Sequence, residues 1–189
     1  MAALEARQGR VLLALARDAI GQALGHAGTA TLRPEDAVWL DAPGASFVTL
    51  TQDGALRGCI GSLEARRALR DDVIANAHAA AFGDPRFAPL TVDELPRTRV
   101  EVSVLSTPER LAWQEEADAL ASLRPGIDGV ILQCGRHRAT FLPQVWAQLP
   151  DPRQFMEQLK RKAGLDADFW SPELRLARYT VQKFQEDTP

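Results

Sequence analysis

The sequence predicts an α+β fold with a mainly antiparallel or mixed β-sheet flanked by helices. The clearest strand patterns are hairpins, one over residues 47–60 and one over residues 126–141. Residues 99–105 alternate apolar and polar side chains, as does a strand with one buried face. Only one of these strands is followed closely by a helical pattern, so a parallel sheet built from repeated strand–helix units is not expected.

Length and composition indicate a globular chain that forms a single domain over residues 1–189. With 46% hydrophobic and 25% charged residues, the chain can bury a sizeable core. Its formal net charge of -3 argues against nucleic acid or an anionic membrane surface as a principal partner. Cys59 and Cys134 lack the spacing of a disulfide framework, which favours a reduced, cytoplasmic setting.

The first predicted element is an amphipathic helix over residues 4–24 that ends near Gly25. Its apolar residues recur at helical spacing. Charged residues such as Arg10 and Arg17 interrupt every apolar run, so the segment is neither a signal peptide nor a membrane helix. We therefore expect no membrane partner.

A hairpin that turns at Asp53-Gly54 is the next element. Asp-Gly is the strongest two-residue hairpin signal, because both turn residues must reach positive φ. The turn predicts four strand pairs: Gln52 with Ala55, Leu50 with Arg57, Thr49 with Gly58 and Val48 with Cys59. Arg57 and Cys59 would then share one face of the sheet.

A helix is expected from about Leu63 to Phe82, with Ser62 as its N-cap. Its buried stripe comprises Leu69, Val73, Ala77 and Ala80, widened by Ile74 and Ala81. This start places Cys59 one short turn before a helix N-terminus. Free N–H groups there, together with Arg57, would favour the thiolate over the thiol.

Five residues around this stretch are candidate binding residues: Arg57, Gly58, Gly61, Ser62 and Arg86. The two glycines would leave the backbone uncrowded, and Arg86 could join Arg57 as a second anion-binding group. Arg86 lies in a turn that contains two prolines and cannot be helical. In the alternative interpretation of this turn, Asp84 caps backbone N–H groups while Phe87 and Leu90 fill the core.

Three residues are candidate catalytic groups. Cys59 would act as a nucleophile or redox thiol, and Glu101 or His78 would transfer protons. Glu101 lies on the polar face of its strand, which either meets Cys59 or faces solvent. His78 is more simply a satisfied, partly buried histidine. In the alternative for the thiol itself, Cys59 packs against Val48 as a small apolar residue and Arg57 pairs with an acid such as Glu101.

The remaining elements complete an α+β pattern. A short helix is expected within residues 111–123, and the second hairpin should turn at residues 135–137. Asp151 and Pro152 begin a helix that ends at Gly164, and residues 174–184 form a last strand. There is no phosphate-binding loop or dinucleotide motif, and the three histidines are not spaced as metal ligands with either cysteine. We expect no cofactor and no metal.

The run Leu56-Arg57-Gly58-Cys59-Ile60-Gly61, followed by a helix and by Asp84-Pro85-Arg86-Phe87-Ala88-Pro89-Leu90, resembles the AMMECR1 domain family of AmmeMemoRadiSam system protein A-like proteins. Residues 100–106 and 126–132 resemble the same family, and the resemblance covers about residues 12–184. It implies an α+β domain in two unequal lobes and an association with Memo-like and radical-SAM proteins. It implies no established activity.

Two functions remain open. The chain is either a binding module that holds a small anion or a peptide at the Arg-Gly-Cys-Ile-Gly stretch, or an enzyme that uses Cys59 as a nucleophile or redox thiol. The residues leave open whether the protein is an enzyme at all.

Overall fold

The computed structural model describes residues 4–186 and confirms the α+β class. The strands are β1 (Pro43–Gln52), β2 (Ala55–Gly61), β3 (Arg67–Ala68), β4 (Thr98–Leu105), β5 (Glu109–Arg110), β6 (Gly129–Cys134), β7 (His137–Phe141), β8 (Arg175–Tyr179) and β9 (Val181–Gln185). The helices are α1 (Ala6–Ala23), α2 (Asp36–Leu40), α3 (Leu69–Phe82), α4 (Glu116–Ser122) and α5 (Pro152–Lys162), with short 3-10 helices at Val92–Arg97 and Pro143–Ala147.

The described residues divide into two compact units. Unit 1 comprises residues 4–105 and 182–186, and unit 2 comprises residues 106–181. Each unit has its own sheet and its own hydrophobic core. Within residues 4–186, no helix is long and apolar enough to cross a membrane.

In unit 1, helix α3 packs on one face of a sheet whose strand order is β2-β1-β4-β9, and α1 packs on α3 and β4. Strand β3 pairs with the start of β1. Alternation along β1 places Val48 and Leu50 in the core, while Thr49 lies on the opposite, more polar face. Strand β2 is therefore an edge strand whose inner face contacts α3.

Unit 2 contains a sheet with the order β5-β8-β6-β7, in which all pairs are antiparallel. Helix α5 begins as predicted, because Asp151 accepts a hydrogen bond from the Gln154 N–H at 2.9 Å. The buried face of α5 inserts Phe155 and Leu159 into the core, where the Phe155 ring stacks on Trp146 at 3.8 Å.

The predicted hairpin forms, but from Leu50 toward the start of β1 its register is shifted by one residue relative to the prediction. Gln52 lies opposite Ala55 as expected, whereas Thr49 lies opposite Cys59 and Leu50 opposite Gly58. The register shift between Leu50 and Thr51 is a β-bulge that leaves Arg57 as the extra residue.

The predicted start of the third helix was wrong, because α3 begins at Leu69 and not at Leu63. Ser62 is not its N-cap. Residues 62–66 form a turn instead, and β3 pairs with Pro43 and Gly44 of β1 before the helix begins. This pairing with a distant segment overrides the local capping signal at Ser62.

Two other boundaries differ from the sequence prediction. The single last strand expected over residues 174–184 is divided into β8 and β9, which belong to different sheets. The break falls at Thr180, whose N–H is bound by the Ser106 hydroxyl at 2.9 Å. The helix expected within residues 111–123 is limited to α4, residues Glu116–Ser122.

Candidate functional site

The glycines of β2 lie where other atoms approach the backbone closely. A Cβ added at Gly58 would come within 3.0 Å of the Ala80 carbonyl oxygen of α3, a distance that real Cβ atoms essentially never show. A Cβ added at Gly61 would meet the Phe47 ring equally closely. Both glycines therefore serve close packing, and the expectation that they leave the backbone uncrowded was wrong.

Cys59 is half-buried on the polar face of the sheet in unit 1. The Thr49 hydroxyl, directly opposite it on β1, donates a hydrogen bond to the Cys59 sulfur at 3.3 Å. Glu101 lies opposite Thr49 on the other side, so Cys59 and Glu101 flank Thr49 across three strands. Two strand spacings separate the backbones of Cys59 and Glu101 by roughly 10 Å, and the Glu101 carboxylate contacts Ser103 and Lys183 instead.

The helix end nearest to Cys59 is the carbonyl end of α3. Gly58 faces Ala80 in the last turn of α3, and the Cys59 N–H donates to Asp84, two residues beyond the helix. Free carbonyl groups at this end carry partial negative charge. The prediction that helix N–H groups would stabilise a Cys59 thiolate was therefore wrong.

Arg57 forms a forked ion pair with Glu94. Its Nε lies 2.9 Å from Glu94 Oε1 and its Nη2 lies 3.1 Å from Oε2. The Arg57 side chain is 13% exposed, and its buried Nη1 has no hydrogen-bond partner among the described residues. The hydrogen bond from Arg57, followed by that from the Thr91 N–H, lowers the pKa of Glu94 from 4.5 to about 2.

Glu101 is not the acid that pairs with Arg57. Its carboxylate lies 3.4 Å from the Lys183 ammonium and accepts a hydrogen bond from the Ser103 hydroxyl. The Cys59 side chain contacts Thr49, whereas that of Arg57 contacts Glu94, so the β-bulge directs the two predicted neighbours to different partners.

Asp84 binds the outer edge of β2, as the alternative interpretation of its turn expected. Its buried carboxylate accepts hydrogen bonds from the Cys59 N–H at 2.9 Å and from Arg86 Nε at 2.9 Å. The hydrogen bond from the Arg86 side chain makes the largest contribution to lowering the pKa of Asp84, and the bond from the Cys59 N–H makes the next largest. Together they hold this pKa well below its usual range. Arg86 also donates to the Cys59 carbonyl at 3.3 Å, so both edge groups of Cys59 are occupied.

Phe87 brings the two predicted anion-binding arginines together. The guanidinium carbon of Arg57 lies 5.9 Å from the centre of its ring, and that of Arg86 lies 5.5 Å away. Leu90 is buried as expected, but Phe87 remains half-exposed. We call Arg57, Arg86 and Phe87 the Phe87 surface.

Ser62 belongs to a separate polar cluster between β1 and α3. Asn76 donates to the Ser46 carbonyl at 2.9 Å and to the Ser62 hydroxyl at 3.3 Å. Asp72, also buried, accepts from the Ser46 N–H and pairs with Arg67 at 2.9 Å. Ser62, Arg67 and Asp72 line a shallow cavity of ≈ 490 Å³.

His78 does not reach Cys59. Helix α3 packs on the sheet through Ala77 and Ala80, and His78 lies on its exposed side with its ring 4.9 Å from that of Phe82. The expectation of a partly buried histidine was wrong, and Ile74, expected in the buried stripe, is also exposed. Residues 4–186 contain no cluster of three or more His, Cys, Asp or Glu that could hold a metal ion.

Sequence reasoning missed the partners of its own candidates. Glu94 could have been found, because Thr91 and Glu94 have the spacing of a capping box, and the Thr91 N–H does donate to Glu94 at 2.9 Å. Thr49 would have been found with the correct register. No local pattern distinguishes Asp72, whose partners include Ser46 of β1 and Arg67 of β3 as well as Asn76 of its own helix.

Comparison with known proteins gives consistent results. The AMMECR1 family model matches residues 13–184. A protein of Methanothermobacter thermautotrophicus is 42% identical over 191 residues, covering 98% of both chains. Protein SSO0193 of Saccharolobus solfataricus is 36% identical, covering 96% of this chain and 82% of its own length.

A solved structure shows the same fold. The crystal structure of the uncharacterized protein PH0010 from Pyrococcus horikoshii superposes with a TM-score of 0.79 at 32% identity. The match covers 98% of this chain and 95% of the other. With the family model matching nearly the whole chain, this protein belongs to the AMMECR1 family.

Proposed function

We propose that this chain is a cytoplasmic, non-catalytic binding module whose ligand is a peptide segment of a protein partner, bound at the Phe87 surface beside the Arg-Gly-Cys-Ile-Gly strand. One observation carries the proposal. Arg57 and Arg86 lie on a half-exposed aromatic ring, and each has its own carboxylate, Glu94 and Asp84.

The two ion pairs favour a peptide over a small anion. A small anion would have to compete with Glu94 and Asp84 for guanidinium groups that are already neutralised. A protein interface has no such requirement, because aromatic and arginine side chains contribute there through packing as well as charge. The Arg86 side chain is 54% exposed and remains accessible to a partner.

The separation of the proton-transfer candidates argues against catalysis. Cys59 contacts Thr49, Glu101 pairs with Lys183, and His78 lies on the exposed side of α3. A nucleophile needs a base within hydrogen-bond reach, directly or through one water. Among the described residues, neither candidate base is hydrogen-bonded to the Cys59 sulfur, whose partner is Thr49.

The family resemblance suggests the partners: Memo-like and radical-SAM proteins. We expect purified proteins of these two classes, from the same organism, to bind the native chain in isothermal titration calorimetry. Phe87→Ala should weaken binding at least tenfold, since truncation of an aromatic hot-spot residue costs about 2 kcal/mol or more and 1.4 kcal/mol corresponds to a factor of about ten. His78→Ala, on the exposed side of α3, is the matched control and should bind normally.

Native affinity of Phe87→Ala would show that the Phe87 surface is not the binding surface. The far-UV circular dichroism of each variant verifies that it is folded. If neither class of protein binds the native chain, this choice of partners is wrong.

A reaction that depends on Cys59 is the second candidate, and the hydrogen bond from Thr49 to its sulfur favours it. If the thiol is functional, iodoacetamide should label Cys59 at least ten times faster than Cys134 in the folded protein at neutral pH. Thr49→Val, which removes the donor, should slow that labelling. Equal rates for the two cysteines would eliminate this candidate.

A further inference from the structure

We propose that unit 2 carries a second, independent binding site: a groove that takes an extended acidic peptide segment with an apolar side chain at one end. The groove consists of two adjoining depressions of ≈ 650 and ≈ 590 Å³. Both are lined by Arg110, Pro172 and Arg175, and we call the whole the Arg110–Arg175 groove.

One end of the groove is apolar and rigidly supported. Trp113 and Trp170 meet edge to face there, with ring centres 4.8 Å apart. The Lys160 ammonium lies 5.7 Å from the Trp170 ring and binds Glu116 at 3.0 Å. The Lys160 side chain is only 1% exposed, so it fixes Trp170 in place without offering charge to a ligand.

The middle of the groove offers uncompensated positive charge. Arg110 and Arg175 are exposed, and neither side chain makes a hydrogen bond or an ion pair within the described part of the chain. Two further arginines of unit 2 differ in this respect, because Arg124 binds Asp128 at 2.6 Å and Arg178 binds Glu109 at 3.1 Å. Two unpaired guanidinium groups on one groove are suited to carboxylates, which they can bind in a forked geometry.

The shape and charge favour a peptide over single-stranded nucleic acid. Base stacking needs an open aromatic face, whereas Trp170 is contacted by both Lys160 and Trp113. The Glu173 carboxylate also lines the groove and can accept a hydrogen bond, for which a phosphate backbone has no donor. A peptide has N–H groups to offer Glu173, and the two joined depressions suit an elongated ligand.

The test uses the full chain and a random 12-residue peptide library displayed on phage. Selection on the native protein should enrich peptides in which Asp or Glu residues flank an apolar residue. The best selected peptide, labelled with fluorescein, should lose at least tenfold in affinity against the double variant Arg110→Gln/Arg175→Gln. Both arginines are exposed, so the variant should fold normally.

The control is Arg153→Gln/Arg161→Gln, which removes the same charge from exposed positions of α5 in the same unit. It should bind the selected peptide with native affinity. An equal loss of peptide affinity in both double variants would show that only the net charge of the protein matters, and it would overturn the proposal. So would enrichment of peptides without acidic residues, or tighter binding of a labelled 12-nucleotide poly-U RNA to the groove.

The result is separable from that for the Phe87 surface. Phe87→Ala lies in unit 1 and should leave binding of the selected peptide unchanged, while the Arg110→Gln/Arg175→Gln variant should retain any partner bound at the Phe87 surface.

Discussion

Gly58→Ala is the sharpest test of how β2 is held. An added Cβ would come within 3.0 Å of the Ala80 carbonyl oxygen and would lie 3.1 Å from the Ala80 carbonyl carbon. Both atoms belong to the backbone of α3 and cannot rotate away. Gly58 does not have a positive φ, so alanine would fit its backbone conformation and the effect would be steric alone.

The cost follows from the movement that the methyl group forces. Restoring ordinary contact requires β2 and the last turn of α3 to separate by roughly 1 Å, which also weakens dispersion contacts across the neighbouring core. We expect the free energy of unfolding to fall by about 3 kcal/mol, the upper part of the usual range for overpacked interiors.

Hydrogen-exchange mass spectrometry measures this loss locally. Amides of β1 and β2 that exchange through unfolding should exchange roughly a hundredfold faster in Gly58→Ala, because 1.4 kcal/mol corresponds to a factor of about ten. Gly61→Ala is the matched comparison. Its added Cβ meets the Phe47 side chain and not a backbone, so Phe47 can yield by a change of its own position and a smaller loss of about 1 kcal/mol is expected. Protection in Gly58→Ala equal to that of the native chain, or to that of Gly61→Ala, would refute the steric reasoning.

Three further predictions concern buried or paired polar groups. Because the pKa of Glu94 is lowered from 4.5 to about 2, its pairing with Arg57 stabilises the fold above pH 4.5 and is lost as the pH falls toward 2. Urea titrations should show about 1–2 kcal/mol more acid destabilisation for the native chain than for Glu94→Gln, after allowance for solvent screening. Asp72→Ala removes the carboxylate that accepts hydrogen bonds from the buried N–H and hydroxyl of Ser46. The free energy of unfolding, measured in urea, should fall by about 3 kcal/mol. Burial raises the pKa of Tyr179, the only tyrosine in the sequence, so absorbance of tyrosinate at 295 nm should appear only above pH 10 while the protein stays folded; normal titration at pH 10 would contradict its burial.

Patterns confined to a short segment predicted most of the fold correctly. The Asp53-Gly54 turn has the positive φ angles that a two-residue hairpin needs, 51° and 80°. The N-terminal helix, strand β4 and helix α5 also lie where periodicity and capping signals placed them. In each of these, local propensity and tertiary packing favour the same structure.

The errors occurred where a distant residue determines the local conformation. The bulge at Arg57 accompanies an ion pair with Glu94, 37 positions along the chain. The helix start was misplaced because Ser62 bonds to Asn76 and to the Ser46 carbonyl, and so does not cap α3. Hydrophobic periodicity contains no information on such pairs.

The candidate site shows the same division. The sequence predicted that Arg57 and Arg86 belong to one site. In the structure both guanidinium groups contact the ring of Phe87, the residue that follows Arg86. The ion pairs of the two arginines were not predictable, since they depend on the carboxylates of Glu94 and Asp84. Glu94 was not considered, and Asp84 was considered only as a cap for backbone N–H groups.

These contacts change how the Arg-Gly-Cys-Ile-Gly stretch should be tested. Gly58 and Gly61 allow the Ala80 carbonyl and the Phe47 ring to approach the backbone closely. The N–H and carbonyl of Cys59 form hydrogen bonds with Asp84 and Arg86. Substituting the glycines therefore disturbs the fold before it can report on any ligand. The Phe87 side chain is instead half-exposed and lies outside the strand, so its substitution separates binding from stability, whereas substitution of Arg86 would leave the buried Asp84 carboxylate unpaired. Loss of partner binding with unchanged hydrogen exchange in β2 is the combination that a functional Phe87 surface requires.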